Sequence, residues 1–310
     1  MTHLQTTPVP SAISKTPKEL RQAIERRKPV KVRGLIEHWD ARRWTFESLR
    51  REVGDRLITA MLGLPDNGAL DDIQQAYEKT LTLAEFLNEA EKATPGNACY
   101  LGYSRPAGLI PNYERACNFE ALTNVSRIRT DTRLWIGSAW TCSGLHSDLK
   151  DNIFAQIYGS KRVVLVPFNQ TPLVYPYIDN IVNSRVDPER FSAEQFPRFI
   201  RAQVYATTVR PGELLYIPRG WWHYLKSESP SISINHWFGS PIPSSHFMLL
   251  LLRLGPLYLG RTLLDMIRYS VLGHSYRKDF FFTPPSTGER LYNLLRHGNF
   301  SRDNDPVADG

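Results

Sequence analysis

Cysteine is scarce in this chain: Cys99, Cys117 and Cys142 are the only three, and no two of them form a CxxC pair. That leaves no framework for a thiol-rich zinc cluster or a set of disulfides, and it suits a reducing, cytoplasmic setting. A secretory leader is missing from the expected features, because the first fourteen residues are polar, carry two prolines, and show neither a basic start nor an apolar run. Long hydrophobic runs are lacking as well. Phe247-Met248-Leu249-Leu250-Leu251-Leu252 is soon followed by Arg253, Arg261, Asp265 and Arg268, so it reads as a buried or subunit-facing helix and not as a membrane span. There is no basic tract either. Thirty-eight Lys and Arg against 31 Asp and Glu give a net charge of +7, but the positive residues are scattered, which leaves nucleic acid open as a partner without favouring it.

What is present is an ordinary globular composition, 42% hydrophobic and 22% charged over 310 residues, enough for one large domain or two modest ones. The chain divides into a flexible start (1–15), an α+β region (16–130), a β-rich core (131–240), a helical region (241–300) and a flexible tail (301–310). Thr16-Pro17-Lys18-Glu19, Thr82-Leu83-Ala84-Glu85 and Ser286-Thr287-Gly288-Glu289 each have helix-capping spacing. Short β-rich runs over 133–138, 153–158, 161–166, 204–209, 213–217 and 231–238, with turn signals at Gly159-Ser160 and Pro211-Gly212, predict a double-stranded β-helix of the jelly-roll or cupin type. The fold class is therefore mainly β with flanking helices. Residues 168–201 read as a polar insertion on the barrel rim. An apolar stripe of Leu263, Leu264, Ile267, Val271 and Leu272 needs a cover, and a homodimer through the C-terminal helices is slightly favoured.

The chemistry-bearing stretch is His146-Ser147-Asp148. On an extended segment the two outer side chains leave the same face, so an imidazole and a carboxylate converge on one point. His223, beyond a later run of strands, supplies a second imidazole. Two histidines and a carboxylate with open positions opposite them form the facial set of non-haem Fe(II) oxygenases. His38-Trp39-Asp40 has the same spacing but no later partner, and it reads as structural. His236 should point away from whatever Asn235 faces. Lys161 shares a strand face with Val163 and Leu165; if that face is interior, its buried ammonium needs an anion.

Around these residues, Asn152-Ile153-Phe154-Ala155-Gln156-Ile157, Gly159-Ser160-Lys161-Arg162, Pro211-Gly212-Glu213-Leu214-Leu215-Tyr216-Ile217-Pro218, Trp221-Trp222-His223 and Ile234-Asn235-His236-Trp237 follow in order. Together they resemble the JmjC and cupin-like family of Fe(II)- and 2-oxoglutarate-dependent oxygenases, most of all its asparaginyl hydroxylases. The resemblance implies that His146, Asp148 and His223 are the catalytic metal ligands for Fe(II), which would work with O2. It also implies that Lys161 pairs with the distal carboxylate of the cosubstrate 2-oxoglutarate, that Ser143 stands where the family often has threonine, and that Tyr100, Asn152 and Asn235 complete the cosubstrate pocket. Tyr103, Trp140, Arg219 and Trp221 are the candidates for the substrate-facing mouth.

The implied reaction hydroxylates a C–H bond with release of succinate and CO2, on an amino-acid side chain of a peptide or protein. A free small molecule or biosynthetic intermediate, or an RNA base, is the alternative substrate. The lack of zinc-ligand clusters and reader modules argues against a chromatin demethylase. From other classes, the rivals are a cupin that binds without catalysis and a metal cupin that uses no keto acid.

Overall fold

The computed structural model describes residues 4–70, 72–126, 130–276 and 285–300. The expected tail, 301–310, lies outside them. Among the described residues, six strands precede the core: β1 (Thr6–Pro8), β2 (Ser11–Ile13), β3 (Val30–Arg33), β4 (Leu57–Leu64), β5 (Glu78–Thr82) and β6 (Ala98–Ser104). Eight form it: β7 (Asp131–Gly137), β8 (Cys142–Ser147), β9 (Asp151–Tyr158), β10 (Lys161–Val166), β11 (Val204–Val209), β12 (Glu213–Ile217), β13 (Trp222–Ser227) and β14 (Ser231–Phe238).

These strands make a minor sheet, β1-β11-β10-β13-β8, and a major sheet, β2-β3-β12-β9-β14-β7-β6-β4-β5. From β7 onward the chain keeps crossing between the two, which is the double-stranded β-helix expected from the strand pattern. The two turn signals therefore do not close hairpins. Gly159-Ser160 carries the chain from β9 in the major sheet to β10 in the minor one, and Pro211-Gly212 carries it back from β11 to β12. Gly159 adopts φ +68°, and a Cβ there would lie 2.0 Å from the Pro230 carbonyl oxygen, so the corner requires glycine.

The helices flank the sheets: α1 (Lys18–Arg26), α2 (Phe46–Val53), α3 (Leu83–Lys92), the single turns α4 (Pro106–Leu109), α5 (Tyr113–Ala116) and α6 (Glu120–Thr123), then α7 (Ser244–Leu254), α8 (Pro256–Asp265) and α9 (Thr287–His297). The capping boxes form at α3 and α9. The one expected at Thr16 does not: Pro17 is the cap of α1 without a side-chain bond, because Ser14 Oγ engages the Thr16 backbone instead.

Three apolar layers result. The amino-terminal helices and tryptophans, among them Leu20, Trp39, Trp44 and Phe86, cover the outer face of the major sheet at Leu134, Ile153, Leu214 and Ile234. Between the sheets lie Phe154, Val163, Leu165, Leu215 and Leu225. Residues 168–201, expected to be a polar insertion, instead contribute Val174, Val186, Phe191 and Phe199 to a cluster over Val164, Val166, Trp222 and Tyr224 on the outer face of the minor sheet. That sheet is thus buried on both faces, which is why Val163-Val164-Leu165-Val166 is continuously apolar.

The start of the chain also differs from the expectation of a loose segment. β1 pairs with β11 and β2 with β3, both in parallel, so the backbone bonds of a polar stretch are taken up at sheet edges. The strands of the 16–130 region extend the major sheet and do not form a layer of their own. At the other end, α7 packs Phe247, Leu250 and Leu251 against Ile181 and Ile242. The expected stripe of Leu263, Leu264, Ile267, Val271 and Leu272 is exposed. Among the described residues no single helix is long and apolar enough to cross a membrane.

Candidate metal and cosubstrate site

β8 and β13 are antiparallel neighbours, and their register sets His146 directly opposite His223. The two imidazoles face each other with centroids 4.1 Å apart. Asp148 follows just beyond β8, and its Oδ2 lies 3.4 Å from His223 Nε2. Ligand atoms of all three residues lie within 4.8 Å of one another, the one such group among the described residues. His38 and Asp40 are exposed and belong to no such group.

Backbone carbonyls select the imidazole tautomers. His146 Nδ1 is 2.7 Å from Gly144 O and His223 Nδ1 is 3.0 Å from Trp221 O. A carbonyl only accepts, so each Nδ1 carries the proton and each Nε2 keeps a free lone pair. Asp148 Oδ2 accepts from Trp237 Nε1 at 2.6 Å and from Asn152 Nδ2 at 3.2 Å, while Asn152 Oδ1 accepts from Asn235 Nδ2 at 3.2 Å.

The electrostatics pair Asp148 with His223, and a metal bound there would displace the proton that this pairing favours on His223 Nε2. Burial alone would raise the Asp148 carboxyl, but His223 beside it outweighs burial and holds it far below the usual carboxylate range. The same contact works in reverse on His223, where Asp148 overcomes burial and draws the imidazole up. His146 is pushed down to about 4, first by burial and then by His223. Two imidazoles with free Nε2 lone pairs and one ionised carboxylate fit Fe(II).

Lys161 lies in β10 on the face of Val163 and Leu165, turned inward at 3% exposure. Its Nζ donates to Tyr100 Oη at 3.3 Å and lies 5.3 and 5.8 Å from the ring centres of Tyr100 and Phe154. Among the described residues no carboxylate lies within ion-pair distance of it, and burial pushes it down to about 7. Ser143 bonds to the Tyr100 hydroxyl, which burial keeps neutral. A buried ammonium among aromatic rings, with two hydroxyls beside it, is a receptor for a carboxylate.

A cavity of about 1490 Å³ joins these groups. Of the residues expected from the sequence, His146, Asp148, His223, Lys161, Ser143, Tyr100, Asn235 and Tyr103 line it. Asn152 does not: it is fully buried behind Asp148 and holds that carboxylate in place. Trp140, Arg219 and Trp221 are not at the mouth. Trp140 is 38% exposed at the turn before β8, with φ +74°. Arg219 donates through Nη1 to the carbonyls of Ser240 and Pro241, and Trp221 packs beside Tyr205. His236, as expected, faces away from Asn235: it stacks on Phe119 and bonds to Thr132.

Two residues that line the cavity were missed in the sequence. Trp237, the donor to Asp148, was legible as the residue two beyond Asn235 on the same strand face. Arg290, which lines the cavity from α9, had no signal nearby in the sequence.

The Cupin-like domain family matches residues 16–244. The chain is 28% identical over 229 residues to Jumonji C domain-containing protein 5 of Drosophila melanogaster, covering 70% of this chain and 56% of that protein. It is 30% identical over 217 residues to lysine-specific demethylase 8 of Xenopus tropicalis, covering 68% and 48%. To HSPB1-associated protein 1 of Rattus norvegicus it is 27% identical over 254 residues, covering 72% and 51%. The chain spans about half the length of these curated relatives.

Proposed function

This chain belongs to the cupin-like, JmjC family of Fe(II)- and 2-oxoglutarate-dependent oxygenases, and from that premise we propose that it hydroxylates a C–H bond of an amino-acid side chain in a peptide or protein. The observation that carries the cosubstrate is Lys161, a buried cation beside the His146, Asp148 and His223 group with no carboxylate among the described residues to neutralise it. With Fe(II) and 2-oxoglutarate bound, the overall chemistry is R–H + O2 + 2-oxoglutarate → R–OH + succinate + CO2.

The chain's own residues do the rest. His146 and His223 offer Nε2 because Gly144 and Trp221 hold their Nδ1 protons. Trp237 and Asn152 fix the rotation of the Asp148 carboxylate. Lys161, Tyr100 and Ser143 receive the distal carboxylate of the cosubstrate and so set its orientation. Phe154, Leu225, Trp135 and Trp237 give the cavity apolar walls that keep bulk water from the reacting carbon.

The size of the cavity supports a peptide over a metabolite. At about 1490 Å³ it exceeds the ~300–1,000 Å³ of ordinary small-molecule sites. Two of the matched relatives carry the name of lysine-specific demethylases, which also supports a protein side chain as the substrate here.

The test is succinate release from 2-oxoglutarate with Fe(II) and O2, measured for the wild type, Asp148→Ala and Lys161→Ala. Turnover that is lost in Asp148→Ala and needs far more 2-oxoglutarate in Lys161→Ala supports the reading. Turnover indifferent to Lys161 would move it to a cupin that uses no keto acid. Neither turnover nor binding of 2-oxoglutarate would move it to a cupin without catalysis.

A further inference from the structure

The first turn of α9 is seated with little freedom. It crosses the π-helical turn Met266–Val271 that continues α8 nearly backbone to backbone, so that a Cβ on Gly288 would lie 2.3 Å from Met266 N and 2.6 Å from Asp265 C. Thr287 N donates to Asp179 O at 2.9 Å, and Thr287 Oγ1 accepts from Ile181 N at 3.0 Å. Asp179 and Asp265 are both tied to Arg261. Arg290 leaves this turn and lines the cavity that holds Asp148.

Its situation is costly unless something answers it. The side chain is half-buried, and its Nε donates to Pro285 O at 3.3 Å. Among the described residues no carboxylate lies within ion-pair distance of its guanidinium. A cation in the first turn of a helix also opposes the helix dipole. Burial pushes the group down to about 10, while Asp148 draws it the other way. The neighbouring Arg133 differs: it is paired with Asp131 at 2.8 Å and covered by the Tyr103 ring. Arg105 and Arg185 also line the cavity but are exposed, and Lys161 is already assigned to the cosubstrate, so Arg290 is the half-buried cation left to meet a substrate, and it is supplied from beyond residue 244, where the family match ends.

We propose that Arg290 determines substrate specificity by gripping a carboxylate of the substrate, so that the protein acts on an acidic stretch of peptide with an aspartate or glutamate seated against α9. A guanidinium fork held on a rigid turn matches a planar carboxylate with two parallel hydrogen bonds. The proposal rests on the oxygenase reading for the chemistry after binding, but the binding itself can be measured without turnover.

The experiment uses full-length protein loaded with Mn(II) and 2-oxoglutarate under anaerobic conditions. Fluorescent peptide libraries centred on Asp or Glu are compared with matched Asn and Gln libraries, and single-stranded RNA of equal charge serves as competitor. Acidic peptides should bind at least about tenfold more tightly than their amides. Arg290→Gln should erase that preference, Arg290→Lys should restore part of it, and Arg290→Glu should turn it toward Lys-centred peptides. Gly288→Val, which displaces the turn without touching the guanidinium, should weaken the preference while leaving the 2-oxoglutarate Kd within about twofold.

Equal binding of acids and amides by the wild type would overturn the proposal. So would RNA displacing the peptides at lower concentration, or a loss of 2-oxoglutarate binding in Arg290→Gln as large as in Lys161→Ala, since Arg290 would then serve the cosubstrate. Thermal melts show which variants fold, and the Lys and Glu variants carry the test if Gln does not. A selective peptide without succinate release would uphold Arg290 and count against the oxygenase reading alone.

Discussion

At its inner end the cavity is walled by paired strands, with His146 on β8, His223 on β13, Lys161 on β10 and Asn235 on β14. At its outer end the walls are irregular: the stretch before β5, the segment after β6, residues 177–187, and the first turn of α9 with Arg290. The inner end therefore derives its geometry from sheet register, in which a shift of one residue would turn every ligand to the wrong face. The outer end derives its geometry from loop and helix packing, where side chains can change with little effect on the strands behind them. A fixed kind of chemistry at one end and an adjustable specificity at the other result from that difference.

The comparison breaks most visibly at the metal group. Asp148→Ala removes one of three ligands, and succinate release should fall below about 1% of wild type, with Fe(II) affinity lowered in parallel, as a metal titration would report. Lys161→Ala should raise the 2-oxoglutarate concentration for half-saturation by about thirtyfold or more, from the ~2–5 kcal/mol that truncating a buried charge pair costs. Isothermal titration with succinate and 2-oxoglutarate would measure it.

The pH profile sharpens the same point. Burial pushes Lys161 down to about 7, so the protonated form that attracts a carboxylate gives way above that pH. The 2-oxoglutarate Kd should therefore rise above pH 7, approaching about tenfold per unit, and the slope should vanish in Lys161→Ala. Stability of the empty protein should move the opposite way. The folded value lies below the unfolded one, so the unfolded chain holds the extra proton between about 7 and 10.5, and this group adds stability as pH rises through that window.

Trp237→Phe keeps the ring and removes the indole donor to Asp148 Oδ2, and Fe(II) should bind about tenfold more weakly with the fold intact. The smallest effect is expected at Trp140→Ala, which lies outside the cavity: 2-oxoglutarate binding should stay within about twofold of wild type. A large loss there would mean that the turn before β8 reaches the site after all.

The same division explains what could be read from the chain alone. Strand alternation and the His-x-Asp spacing are local, so the β-helix and the metal group were legible, whereas Lys161, just after a turn, could be read on its own as reaching solvent, and only the family resemblance implied its buried role. β8 and β13 were not marked as strands, because Cys142-Ser143-Gly144 and Trp221-Trp222-His223 carry no clean alternation, although both ligand histidines lie on them. The mouth was illegible for a different reason. Trp140, Arg219 and Trp221 stand close to the metal motifs in sequence but point to a turn, to the 240–241 carbonyls and to Tyr205, whereas Arg290 arrives from 142 residues beyond Asp148 through contacts that only the packed helices create.

The most direct test of the central claim is anaerobic binding of 2-oxoglutarate to Mn(II)-loaded protein, wild type beside Lys161→Ala and Asp148→Ala. Saturable binding that needs the metal and weakens by at least about thirtyfold in Lys161→Ala is the expected result. Binding unaffected by Lys161, or no metal-dependent binding at all, would contradict it and leave the His146, Asp148 and His223 group without its cosubstrate.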